Sequence, residues 1–182
     1  EYKASTQNWS IVQDKRGVMY FANQGVLEFD GETWRTIPVT NNSSVRSLSI
    51  DSLGIVYVGA VGEFGYLSPD DNGKLQYVSL VKSLDSTYKH FSDVWNTHST
   101  KQGTYFLTDN FLFCYDGEKI KVLHKTAKYF YLCMDVNNTL YVQEIGAGLK
   151  RIVDDSLQLI PKGDFFINSK IFTSVSYTHL RA

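Results

Sequence analysis

An all-β chain made of repeated units is what this sequence predicts, and three regularities predict it. A turn marker recurs at Gly17, Gly54, Gly103 and Asn138, at intervals of 37, 49 and 35 residues. Three residues past each marker comes an aromatic: Tyr20, Tyr57, Phe106 and Tyr141. A second turn follows in each unit, at Asp30-Gly31, Asn72-Gly73, Asp116-Gly117 and, degenerately, Asp154-Asp155. Four short strands recurring every ~40 residues form the signature of a β-propeller blade.

The first unit sets the pattern. Residues 9–13 are β-rich, 14–17 turn the chain, 18–22 return, and 25–29 form a third run. Asp30-Gly31 suits a two-residue hairpin turn, whose central residues both need a positive φ. Residues 33–37 complete the unit, and Pro38, which cannot donate to a ladder, ends it. Unit two repeats this as SLSID, GIVYVGA, FGYLS and LQYVSL; unit three as DVWNTHS, TYFLTD, FLFCYD and KIKVLH. Unit four reads YLCMDV, TLYVQE, GLKRIV and LQLIPK, with Asn138 where the others have Gly. Asn is the next most tolerant residue of a left-handed backbone, so the geometry is kept. The units run over about 9–39, 45–80, 91–124 and 129–163, and 166–174 reads as the start of a fifth. Residues 79–91 lengthen one connection and read as a surface insertion with a turn of helix. The glycine-rich stretch from Gly59 to Gly65 lies between strands and reads as a flexible loop or bulge.

Each blade is a small sheet that cannot bury both faces alone. Four units and part of a fifth therefore predict a larger propeller cut short, prone to aggregate through its two uncovered end faces. The start at Glu1, without Met or a charged-then-apolar leader, agrees with a trimmed or partial chain.

Composition narrows the function classes. The 12 Tyr and 11 Phe of the 182 residues favour strands. A net charge of −1, with no like-charge run beyond two residues, lacks the electrostatic footprint of nucleic-acid binding. No run of about 18 apolar residues is present, so no membrane-spanning helix is expected in this segment. Cys114 and Cys133 sit in apolar runs and are expected to be buried free thiols, with a disulfide the lesser alternative.

The stretch WSIVQDKRGVMYFANQGVLEFDGETW, from Trp9 to Trp34, resembles the two-component regulator propeller repeats. So do VRSLSIDSLGIVYVGAVGEFGYLSPDDNG, from Val45 to Gly73, and FSDVW, from Phe91 to Trp95. Those repeats form periplasmic sensor regions of Bacteroidetes regulators, either hybrid two-component systems or regulators with a Tyr-rich domain and a helix-turn-helix output. The resemblance implies a periplasmic sensor propeller, a following Tyr-rich domain, a membrane span, a homodimeric intact protein and a signal often tied to polysaccharides. The final residues, 175–182, do not continue the pattern and resemble translated adapter sequence; His179 and Arg181 are accordingly given no role.

Catalysis is not expected. Phosphate-cradling glycines ahead of a helix are absent, and His90, His98 and His124 have no metal-ligand spacing. No cofactor or metal is implied. Recognition fits better: the second-to-third loops and the blade-to-blade connections emerge on one face. Candidate ligand-binding residues there are Asn23, Gln24, Glu63, Asn110 and Glu144, with Tyr66 and Trp95 as aromatic surface for a carbohydrate or a partner side chain. Trp9, Trp34 and Trp95 are otherwise expected to be packing residues. The alternatives are a secreted propeller-fold glycan-active enzyme and a protein-docking scaffold.

Overall fold

Alternation of side chains along each run forces both faces of every sheet to find cover, and the architecture is the answer to that demand. The computed structural model describes residues 4–172. The first sheet holds β1 (Ile11–Gln13), β2 (Met19–Asn23), β3 (Gly25–Phe29) and β4 (Trp34–Ile37). The second holds β5 (Val45–Ile50), β6 (Val56–Ala60), β7 (Glu63–Pro69) and β8 (Leu75–Ser79). The third holds β9 (Asn96–Thr100), β10 (Gly103–Leu107), β11 (Phe111–Tyr115) and β12 (Ile120–Lys125). The fourth holds β13 (Phe130–Val136), β14 (Thr139–Glu144), β15 (Gly148–Val153) and β16 (Ser156–Leu159). Every sheet is antiparallel and ordered as in sequence, the four-bladed propeller arrangement that the repeats predict.

The marker motif has a physical basis in its first two copies. One carboxylate oxygen of Asp14 accepts from the N–H groups of Arg16 and Val18, at 2.9 and 3.0 Å, and the other accepts from the Tyr20 hydroxyl at 3.3 Å. Asp51 repeats this with Leu53, Ile55 and Tyr57, at 2.9, 2.9 and 3.3 Å. D-x-x-G-x-x-Y is thus one turn whose Asp satisfies two backbone donors and tethers the aromatic. In the third unit Thr100 replaces Asp, and it pairs directly with Gly103 in a shorter turn. One residue fewer moves the phase, so Tyr105, not Phe106, takes the position of Tyr20 and Tyr57. Asn138 has φ +61°, and Asp154 and Asp155 have φ +47° and +58°, so both non-glycine turns keep the left-handed geometry.

Packing follows the alternation. Tyr20, Ala22 and Val26 of the first blade meet Val56, Val58 and Leu67 of the second. Tyr57 and Phe64 of the second meet Phe106, Phe111 and Phe113 of the third. Tyr105, Leu107 and Cys114 of the third meet Leu140, Val142 and Cys133 of the fourth, and both cysteines are buried and free. The middle seam is the most aromatic: Phe64 and Phe106 stack with ring centres 4.6 Å apart, both fully buried.

Two connections differ from expectation. Residues 79–91 hold short 3₁₀ turns at Val81–Ser83 and Ser86–Tyr88, but Leu80 and Leu84 are buried against Phe64 and Phe111. The segment is a cap on the middle seam rather than a surface insertion. The glycine-rich stretch is no flexible loop either: Ala60 pairs with Glu63 across a two-residue hairpin. Gly59 and Gly65 are set by crowding, since a Cβ on Gly65 would lie 2.0 Å from the Val78 carbonyl oxygen, and Gly62 by its φ of +63° in the turn. After Leu159 come a 3₁₀ turn at Gly163–Phe166 and residues 167–172, which join no strand. Thr173 and Ser174, the end of the expected fifth-unit strand, lie outside the described residues, as does the tail at 175–182. At the other end, Phe21, Phe29 and Trp34 pack together on the outer face of the first blade.

Phe106→Ala is expected to lower the unfolding free energy by about 3–5 kcal/mol, read by urea denaturation. A loss below about 1 kcal/mol would mean that the middle seam is not the core. Burial first, and then the carboxylates of Asp14 and Asp51, push Tyr20 and Tyr57 up to about 12. Unfolded tyrosine titrates near ~10, so the stabilisation is complete below that pH and is lost as pH rises towards 12. Phenolate absorbance followed against pH should show some tyrosines ionising only as the fold is lost.

Candidate functional site: an arginine between two tryptophans at the propeller axis

The first strands β1, β5, β9 and β13 lie side by side, whereas the fourth strands splay apart. The first strands therefore line the axis, and polar side chains tie them across each blade boundary. The Leu48 N–H donates to Ser10 Oγ at 3.3 Å, and Ser49 Oγ donates to Ser99 Oγ at 2.9 Å. Ser47 Oγ donates to the Val94 carbonyl at 2.7 Å, and the Cys133 N–H donates to Asn96 Oδ1 at 3.1 Å. The runs of Ser, Thr, Asn and His in these strands are explained by this stitching.

Two of the first strands carry an extra residue near their start. The ladder register shifts between Val45 and Ser47, and again between Phe130 and Leu132. Arg46 and Tyr131 are the residues so displaced, and a bulge re-aims the side chain it carries. The Arg46 guanidinium carbon lies 4.5 Å from the ring centre of Trp9 and 5.0 Å from that of Trp95. The two indoles are themselves edge-to-face at 5.4 Å. Arg46 Nε donates to Asp93 Oδ1 at 2.6 Å, which fixes the plane of the fork. Three successive blades thus contribute to one cluster, and its indoles stay 40% and 43% exposed.

The cluster opens into two neighbouring cavities. One of about 220 Å³ is lined by Trp9, Ser10, Arg46, Trp95 and His98. Trp95 and Asn96 also line the second, of about 510 Å³, with Asp109, Tyr129, Tyr131 and Phe172. Lys170 lies over Tyr131 at 4.8 Å and over Tyr129 at 5.9 Å. Aromatic surface and fixed charge therefore alternate along this end of the axis. A cleft of about 530 Å³ between the third and fourth blades opens at the opposite end. Its Asp155 is paired with Lys121 at 3.0 Å, and its residues are turn residues and strand ends.

The expected face is the one that carries this cluster, but most of the expected residues serve the fold. Trp95 belongs to the cluster. Gln24 is exposed and bridges to Ser44, and Asn110 is half-buried with its carbonyl accepting from Thr126 N–H at 3.0 Å. Asn23 is buried, and its amide donates to the carbonyls of Ser5 and Gln7 and to Asn8 Oδ1. Glu63 is buried and accepts from Ser79 Oγ at 2.8 Å. Glu144 is buried among Thr126, Lys150 and His124; burial would raise its pKa, but the Lys150 and Thr126 hydrogen bonds outweigh that and hold it below the usual carboxylate range. Tyr66 stacks on Tyr115, 6.0 Å away and nearly parallel, between the second and third blades. Asn23 is consumed by backbone groups of the incoming connection, Glu144 by the Thr126 and Lys150 side chains, and Glu63 by Ser79 of its own blade. Trp9 and Trp95 depart from the packing role expected of them, while Trp34 keeps it against Phe29 at 4.5 Å. Arg46, Asp93, Tyr129 and Tyr131 went unnoticed in the sequence. Their one signal is position: each lies just before or just inside a first strand.

No family model matches the chain, and no curated protein matches it. Solved structures do. The extracellular domain of a protein assigned as a one component system of B. thetaiotaomicron superposes with a TM-score of 0.67 at 17% identity, over 87% of this chain and 23% of that one. The extracellular domain of a protein assigned as a hybrid two component system of the same organism gives 0.63 at 17% identity, over 85% and 24%. Virginiamycin B lyase from Staphylococcus aureus gives 0.60 at 16% identity, over 85% and 56%. The chain therefore has the β-propeller fold and spans about a quarter of the two extracellular domains and about half of the lyase. The neighbours include the class of extracellular domain whose repeats the sequence resembles.

Arg46→Ala removes both cation–π contacts, each worth about 0.5–2 kcal/mol, and strips Asp93 of its partner. A stability loss of about 1–2 kcal/mol with a changed indole emission is the expected outcome, measured by denaturation followed through tryptophan fluorescence. Unchanged emission would mean that the three side chains are not in contact.

Proposed function

We propose that this chain is the recognition part of a periplasmic sensor region in a membrane-spanning signal-transduction regulator, and that it binds its ligand at the axial cluster without chemistry of its own. The observation that carries this reading is the Trp9–Arg46–Trp95 cluster, where three blades converge on half-exposed aromatic rings beside an ion pair. Indole faces suit the apolar face of a sugar ring or a partner's side chain, and a fixed guanidinium and carboxylate orient it. The resemblance of the repeats to regulator sensor propellers supports the setting, as does the fold shared with two regulator extracellular domains.

The lyase among the structural neighbours raises an enzyme as the rival. The groups at this axial end are committed to one another instead. Asp93 holds Arg46, Asp109 accepts from Ser92 Oγ at 2.5 Å, and His98 Nε2 faces the Cys133 carbonyl at 3.2 Å. Such pairing supports recognition over proton transfer. In the intact protein, a homodimer continued by a Tyr-rich domain and a membrane span, ligand at this face would bias the arrangement of two protomers. It can do so only by its difference in affinity for the two states.

Trp95→Ala in the intact protein is expected to raise the ligand concentration needed for half-maximal output by about tenfold or more, a stacking contribution of about 1.4 kcal/mol. A response equal to that of the native protein, at equal protein level, would remove the axial face from the account.

A further inference from the structure

Resting on that reading, we infer that the axial site takes an acidic oligosaccharide, with the carboxylate of one sugar ring received by the Arg46 fork and the ring itself lying on the indoles. The guanidinium lies against the adjoining indoles of Trp9 and Trp95, which meet edge-to-face, and Asp93 holds it at Nε alone. Its two terminal nitrogens donate to no described residue. A planar fork locked in this way presents its remaining edge to a planar, two-oxygen partner, which a carboxylate matches bidentately.

The local charge sets the size of the anion. Arg46 and Lys170 are balanced by Asp93 and Asp109 around the two cavities. A site so balanced accepts one negative charge per ring and disfavours a dianionic phosphate beside Asp93. The shape sets the length. The two cavities share Trp95 and Asn96, and aromatic surface continues from Trp95 to Tyr129 and Tyr131. This run of rings from consecutive blades suits a chain of linked sugars rather than a single small acid.

The test is calorimetric titration of the intact protein with trimers of galacturonate, glucuronate and mannuronate, each beside its carboxyl-reduced neutral counterpart. The expected result is that at least one acid trimer binds, and that carboxyl reduction weakens it tenfold or more. Arg46→Gln should erase that difference, and added salt should weaken only the acid. Because the ligand is varied on the native protein, the answer does not depend on the variant folding. Equal binding of acid and neutral trimers, with both lost in Trp95→Ala, would overturn the carboxylate and leave the axial reading standing. Binding of neither class would overturn the inference. An output response to some other ligand that is untouched by Trp95→Ala would overturn the axial reading with it.

Discussion

A four-stranded blade has two apolar faces and no way to bury either by itself, and everything else in this structure depends on the seams that solve this. Because strands alternate their side chains, each second strand serves two seams at once: Tyr57 faces the third blade while Val56 and Val58 face the first. One residue gained or lost in a turn would exchange the two sets, and the Asp-to-Tyr tether at Asp14 and Asp51 guards against that slip. The third unit shows the rule by obeying it differently. Its turn is one residue shorter, and the aromatic role passes from the residue at 106 to the residue at 105 without disturbing either seam.

Near the axis the seams change character. Between the first strands Ser and Asn hydrogen bonds join neighbouring blades, while Val45, Leu48 and Phe130 of the same strands turn into the apolar seams. Bulges are useful there. An extra residue at Arg46 or Tyr131 has no room within the ladder, and its side chain is re-aimed away from the strand pairing. The candidate site is thus a by-product of how the seams close: Trp9 and Trp95 precede first strands, and Arg46 lies between them because the second blade does.

The repeats, the turns and the strand pattern were all legible in the sequence, because period-two alternation and left-handed turn residues act locally. The face that carries the cluster was legible too, since antiparallel order fixes which loops share an end. The residues on that face were not. Asn23 and Glu144 have the polarity of ligand contacts, yet each is spent on groups of an incoming connection that only the fold brings near, and Glu63 is spent on Ser79 at the end of its own blade's fourth strand. Arg46 reads in sequence as an ordinary charged residue in an alternating strand. Its role depends on a register shift and on two indoles, one 37 residues before it and one 49 after, and no local pattern reports that. The buried Leu80 and Leu84 were missed for a similar reason, as a connection's cover over the middle seam is a tertiary fact.

The central claim is that recognition occurs where the first strands begin. Amide hydrogen exchange on the intact protein, with and without the ligand that triggers its output, tests this most directly. The account predicts protection confined to peptides around 44–48, 93–97 and 129–132. Protection instead around 138–140 and 152–155, at the opposite end of the blades, would contradict it.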